Sequence, residues 1–222
     1  MRIGTWNMDG KGTRTHVEFL AALKCDVLLL TEVPHGLDLG GGKLEHSESM
    51  GATKDWAAVW SRSGLTARES PHGWSAAAEV NGALFVSSVL PWRLVKRAGH
   101  WPGPEATTGE RLDASLAQLG PLLLSHRGPV VWGGDFNHGL LGPDYAGSAH
   151  GRDSILRLLN ELGLVAPTAE LGHRIVGQSN IDHIAVPAAW GVVNKQRVMA
   201  ERADGRRLSD HEAYVVDVTG SR

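Results

Sequence analysis

Covalent cross-links have little to build on here, because the 222-residue chain holds one cysteine, Cys25. A lone thiol excludes an internal disulfide framework and a zinc site made of cysteines. Lying just ahead of an apolar run, it reads as a buried free thiol rather than a nucleophile. Charge of one sign is missing too. Lys and Arg number 22 against 24 Asp and Glu, a formal net charge of -2, which lacks the basic excess of proteins that hold nucleic acid by bulk charge. A phosphate-bearing partner therefore needs a local site, with a metal ion supplying positive field. No apolar stretch reaches the length of a membrane span, and the opening MRIGTWN has no apolar signal region, so the expected compartment is the cytoplasm. Phe and Tyr are scarce, three and two, against eight Trp. Low-complexity linkers and solenoid repeats are also absent, and residues 1–222 read as one domain.

What is present is an alternation of short strands and helices. Residues 2–7 predict a strand, and residues 15–24 a helix, with Thr15 and Glu18 spaced as a capping box and Phe19, Leu20 and Leu23 on its apolar face. Residues 26–33 contain Val27 to Leu30, a run suited to a strand buried on both faces. Strand-like pieces at 56–62, 65–69, 74–80 and 83–90, split by turns such as Asn81-Gly82, predict antiparallel pairing. A helix over 108–125 lines Leu112, Leu116, Leu119 and Leu123 along one side, with Pro121 expected to kink or restart it. A strand at 129–132, a helix at 154–162 stopped by Gly163, and strands at 181–186 and 213–218 complete the pattern. The expected fold class is α/β, a four-layer sandwich of two packed mixed β-sheets flanked by helices.

Polar residues gather where these strands end. Asn7 closes the first strand and Glu32 the apolar VLLLTE, while Asp135 and Asn137 close VVWGGDFN. Asp182 lies in IDHI, and Asp210 and His211 precede the last strand. Ligand sites collect at strand ends because rigid elements deliver side chains there while loops leave room. Period-two alternation predicts that Asp135 and Asn137 project to one side, and that only one of Asp182 and His183 faces the site. Each piece alone has a plain reading, such as a turn residue at Asn7, a solvated strand end at Glu32, or a flexible bend at Gly133-Gly134.

Taken in order, TWN, TE, GDFN, IDHI and SDH resemble the endonuclease/exonuclease/phosphatase superfamily across nearly the whole chain. The resemblance implies a divalent ion, Mg2+ or Mn2+, with Glu32 as principal ligand and Asn7 and Asp210 nearby. It further implies Asp135 orienting or deprotonating the attacking water, Asn137 holding that aspartate and the phosphoryl oxygens, and His211, oriented by Asp182, bonding the phosphoryl group. Those residue types suit in-line attack on a phosphate, and oxygen donors suit a hard cation. In the mid-chain strand, where relatives carry tyrosine or histidine, this chain reads FVSSVLPWR. Ser87 and Ser88 are then the candidate phosphate donors, with Arg93 and Arg111 able to pair with phosphate in a bidentate manner.

The expected activity is a metal-dependent phosphodiester hydrolase, a nuclease on DNA or RNA, with Trp74, Trp92 and Trp101 in loops available to stack on bases. The alternative is a phosphatase or phosphodiesterase of a small phosphorylated metabolite or phospholipid headgroup, which the near-neutral charge favours. A zinc cluster of His138, His183 and His211 with Asp135 and Asp182 matches no zinc spacing. His72, His100 and His150 read as solvated loop residues.

Overall fold

The protein is described from a computed structural model, which covers residues 1–93, 101–102, 107–143 and 145–220. In chain order the elements are β1 (Arg2–Asn7), α1 (Arg14–Ala22), β2 (Val27–Pro34), β3 (Lys43–His46), β4 (Lys54–Ser61), β5 (Thr66–Arg68), β6 (Ser75–Val80) and β7 (Ala83–Val89). They continue with α2 (Thr108–Ser125), β8 (Val130–Asp135), α3 (Ala149–Glu161), β9 (Leu164–Val165), a 3-10 turn at Pro167–Glu170, β10 (Asp182–Pro187), β11 (Gly191–Val198) and β12 (Ala213–Thr219). The strands form two six-stranded sheets, ordered β11-β12-β1-β2-β4-β3 and β5-β6-β7-β8-β10-β9. Each sheet has one parallel pair at its centre, β1 with β2 and β7 with β8, and antiparallel neighbours around it.

Three apolar layers hold the four structural layers together. Ile3, Val27, Leu29 and Val59 of the first sheet face Ala78, Phe85, Val131 and Ile184 of the second. On the outside of the first sheet, Leu20 and Leu23 from the α1 region pack over Trp6, Leu28 and Leu30. On the outside of the second, Leu112, Leu116 and Leu119 of α2 and Ile155 of α3 cover Val86 and Trp132. Burying one such side chain contributes about 1.5–3 kcal/mol, so the inter-sheet layer supplies much of the driving force.

Several local expectations are corrected. α1 begins at Arg14 behind the N-cap Thr13, so Thr15 and Glu18 form no capping box. Glu18 instead pairs with Arg14 one turn back, at 2.7 Å. The capping box belongs to α2, where the Thr107 hydroxyl accepts from the Glu110 N–H and the Glu110 carboxylate accepts from the Thr107 N–H. That helix runs on through Pro121. α3 starts five residues earlier than the apolar pattern predicts, because Ser148 caps it and its first turns are polar. β3 and β11 escape the sequence reading as edge strands with polar, largely exposed residues.

Gly133 and Gly134 are no flexible bend but the end of β8, buried between the sheets. A Cβ on Gly133 would stand 2.5 Å from the His183 carbonyl oxygen and 2.7 Å from Leu29 Cδ1 of the opposite sheet. Gly134 has φ +115 and lies against the Ser88 backbone. The expected outcome for Gly133→Ala is a loss of about 1–3 kcal/mol of stability, as for other overpacked interiors. Denaturant unfolding measures it, and an unchanged midpoint contradicts the close approach.

Candidate active site

Topology alone brings the polar strand ends together. β1 and β2 are parallel, so Asn7 and Glu32 share one edge of the first sheet, and β12, antiparallel to β1, starts there with Asp210 and His211 just before it. In the second sheet, Asp135 at the end of β8 is the register partner of Asp182 at the start of β10. Face-to-face packing of the sheets then closes the two edges on each other. Asp135, Asp182 and His211 each present an atom within 4.8 Å of the others. The His211 Nδ1 bonds Asp182 Oδ2 at 2.7 Å. Asn7 bridges the sheets, its Nδ2 donating to Glu32 Oε1 at 3.2 Å and to Asp135 Oδ2 at 3.1 Å.

One local device sets these side chains. A side-chain oxygen accepts the N–H two residues on in four places: Asn7 from Asp9, Asp135 from Asn137, Asn180 from Asp182, and Ser209 from His211. Such turns bound the strands, after β1 and β8 and ahead of β10 and β12, while fixing the rotamer of the residue that makes them. The Ser209 hydroxyl also donates to the Asn7 carbonyl at 2.7 Å, tying the last turn to β1. Three residues here, Asp9, Glu32 and Asn137, hold positive φ of 52, 49 and 53. Such conformations cost about 1–3 kcal/mol and persist where the surroundings impose them.

Electrostatics follow from burial. Loss of water raises the Asp135 carboxyl to about 7, reinforced by the Asp182 and Glu32 charges and moderated by His211 and the Asn7 amide. For His211 burial acts against the charge, yet the Asp182 carboxylate and its hydrogen bond, with Asp135 and Asp210 beyond, prevail and raise it to about 10. The pair is therefore an imidazolium facing carboxylates.

Not every expected residue joins them. Ser87 and Ser88 are fully buried. The Ser87 hydroxyl donates to the Leu30 carbonyl, while the Ser88 hydroxyl shares a hydrogen bond with Ser75 and accepts from Trp132 Nε1. Both stop short of the site edge, because the residue in register with Asp135 on this strand is Val89, beyond both serines. Arg93 spends its guanidinium on the Gly147 carbonyl, at 2.7 and 3.0 Å, and so braces a loop. Arg111 stands half-buried near the start of α2. Asn137 does not project beside Asp135 as alternation predicts, because the strand has ended. Its side-chain amide donates to the Leu90 carbonyl at 3.0 Å, while its main-chain N–H holds Asp135.

Among the histidines, His183 turns away and bonds the His138 carbonyl, and the His138 ring bonds the Phe136 carbonyl, which removes both from a zinc cluster. His72 is buried and stacked on Trp74 at 4.2 Å, not solvated. His150 is exposed, but in α3 rather than a loop, and pairs with Asp113. His100 lies outside the described residues. Trp74 and Trp101 are buried with Trp56 and Val89 in one cluster, which leaves Trp92, half-buried, as the stacking candidate.

The donor chemistry fits a hard divalent cation at Glu32, whose carboxylate is about one-fifth exposed at the site edge. Asn7 turns its amide nitrogen toward the carboxylates and gives its oxygen to the Asp9 N–H, so it links acids rather than offering an oxygen. Asp210 is exposed beside His211. Two groups escape the sequence reading: Asp9, on the turn after Asn7, and Lys54, ion-paired to Glu32. The spacing in NMDG is a signal for the first. The second has none, because it reaches the site from another strand.

Residues 4–211 match the endonuclease/exonuclease/phosphatase family, and the chain belongs to it. Among solved structures, the 3′ phosphatase NExo from Neisseria, bound to a product DNA hairpin, is 18% identical with a TM-score of 0.72, covering 99% of this chain and 100% of that one. An AP endonuclease from Archaeoglobus fulgidus is 18% identical with a TM-score of 0.71, covering 98% and 99%. The endonuclease domain of TRAS1, a telomere-specific non-LTR retrotransposon, is 17% identical with a TM-score of 0.60, covering 100% and 99%. No curated protein sequence matches the chain. At these identities the likeness is one of fold, the two-sheet α/β sandwich. Among the described residues, no helix is long and apolar enough to cross a membrane.

The expected outcome for Asp182→Asn is a His211 titration shifted down by more than about one pH unit, read by NMR of the imidazole protons. Because the folded His211 value lies above the ordinary 6.5, the pair stabilises the fold fully below about 6.5, and this contribution disappears as pH rises through about 10. A His211 that titrates alike in both proteins overturns the assignment.

Proposed function

We propose that the chain is a divalent-metal-dependent phosphodiester hydrolase whose substrate is nucleic acid. Family membership supports a phosphoesterase. The observation that carries the finer reading is the buried Asp135 carboxylate, held beside an Asp182-anchored His211 and linked through Asn7 to Glu32.

In this reading Asp135 receives the proton of the attacking water. Its raised value keeps it close to the working pH, where a general base transfers protons best. The Asn137 N–H fixes one oxygen of that carboxylate, leaving the other for Asn7 and water. His211, with Nδ1 committed to Asp182, has Nε2 to donate to a phosphoryl oxygen as negative charge develops. Glu32 would hold the cation, with Asp210, ahead of β12 at the same edge, as a further carboxylate. When bound, that ion, Mg2+ or Mn2+, neutralises phosphoryl charge and eases departure of the alkoxide. Residues 1–222 act as one domain, with cytoplasmic action expected.

Nucleic acid is favoured over a small phosphoester because the site lies at the edge of two packed sheets, with Trp92, half-buried against Trp101, as the aromatic residue for stacking. The test incubates purified protein with single-stranded DNA, duplex DNA and RNA plus Mg2+, beside a panel of small phosphomonoesters and phosphodiesters. Cleavage of a nucleic acid supports the proposal, and activity confined to small esters replaces it with the alternative. Asp135→Asn and His211→Ala are each expected to lower turnover by about 10²–10⁴-fold or more while the thermal melt stays cooperative. Unchanged turnover in both removes the assignment.

A further inference from the structure

Lys54 opens β4 in register with Pro34, two residues past Glu32. Its Nζ is ion-paired with Glu32 Oε2, and both side chains are mostly covered, at 25% and 21% exposure. The stem has a shaped bed. It crosses Gly10 so closely that a Cβ there would lie 2.9 Å from Lys54 Cδ, and Gly10, at φ +66, is bonded through its N–H to the Glu32 carbonyl at 2.8 Å. The remaining Glu32 oxygen, Oε1, accepts from the Asn7 amide. Both oxygens of the carboxylate are therefore engaged, one by a neutral donor and one by a full positive charge.

We infer that Lys54 is a built-in counter-ion that competes with the divalent cation for Glu32 and so weakens metal binding. The inference rests on the reading of Glu32 as a metal-holding residue. Two positive charges cannot share one carboxylate oxygen at low cost, so an incoming ion displaces the ammonium or binds against its repulsion. The displaced ammonium stays tethered by its stem at the mouth of the site, where a phosphate would lie. Competition also steadies the metal-free protein, because Glu32 is never left as an unpaired, part-buried anion beside Asp135.

The test is calorimetric titration of the full chain with Mn2+ alone, together with thermal melts with and without Mn2+. Lys54→Met removes the charge at nearly constant length, Lys54→Arg retains it, and Glu32→Gln removes the acceptor. Lys54→Met is expected to bind Mn2+ about tenfold more tightly than the parent, to melt lower without metal, and to gain more from its addition. Lys54→Arg is expected to stay within about threefold of the parent. Lys54→Gln gives the same comparison if the methionine variant does not fold. If the parent binds Mn2+ and Glu32→Gln abolishes binding, but Lys54→Met binds no more tightly than the parent, the counter-ion inference is overturned and the metal reading stands. If neither the parent nor Lys54→Met binds Mn2+, both are overturned.

Discussion

Two carboxylates on facing strands, Asp135 and Asp182, are buried in register with each other. Such a pair is unfavourable twice over, through lost hydration and through mutual repulsion. It survives because one imidazolium, His211, is drawn in from the other sheet and bonded to Asp182. The sheets are therefore joined at this edge by charge as well as by apolar contact. Remove the histidine and two buried acids compete for a proton; remove one acid and the imidazolium loses the partner that keeps it charged. The same balance leaves Asp135 close to neutrality, between acid and base.

The site depends on geometry that begins in the backbone. β1 and β8 stop in turns that a side-chain oxygen closes, β10 and β12 follow such turns, and three non-glycine residues at this edge, Asp9, Glu32 and Asn137, take left-handed backbone angles. These turns set rotamers at the cost of local strain, which the apolar layers behind them offset. Gly133 and Gly134 belong to the same arrangement, since their missing side chains let β8 bring Asp135 against both the neighbouring strands and the opposite sheet.

Much of this was legible in the sequence, for identifiable reasons. The fold class and the buried strands could be read because continuous apolar runs such as Val27 to Leu30 are diagnostic of strands covered on both faces. The polar residues at their ends were found because ordered motifs placed them. What could not be read was registration. Ser87 and Ser88 looked like phosphate donors, yet they lie two and one residues short of the site, and alternation cannot be phased without knowing which strand faces which. Asn137 escaped alternation because β8 had already ended. Trp74 and Trp101 looked loop-borne, and the ring contacts of Trp101 with Trp56 and Trp74 bury them without any periodic signal. Lys54 was invisible because an ion pair across 22 residues leaves no local trace.

The position of Val89 bears on how this chain manages phosphate. Relatives are expected to offer a hydroxyl or an imidazole at the end of the mid-chain strand, and here an apolar side chain sits in register with Asp135, backed by three tryptophans. A wall of that kind gives no hydrogen bond to a phosphoryl oxygen, but it excludes water and lowers the local dielectric, which strengthens the charges that remain. Among the described residues, those charges at this edge include His211 on one side and Lys54 on the other. A chain with no basic excess can still address a polyanion if its positive charges are held dry and aimed, because a single well-placed imidazolium in such surroundings acts more strongly than several solvated lysines. A near-neutral net charge is thus compatible with phosphate chemistry carried by local, part-buried charges.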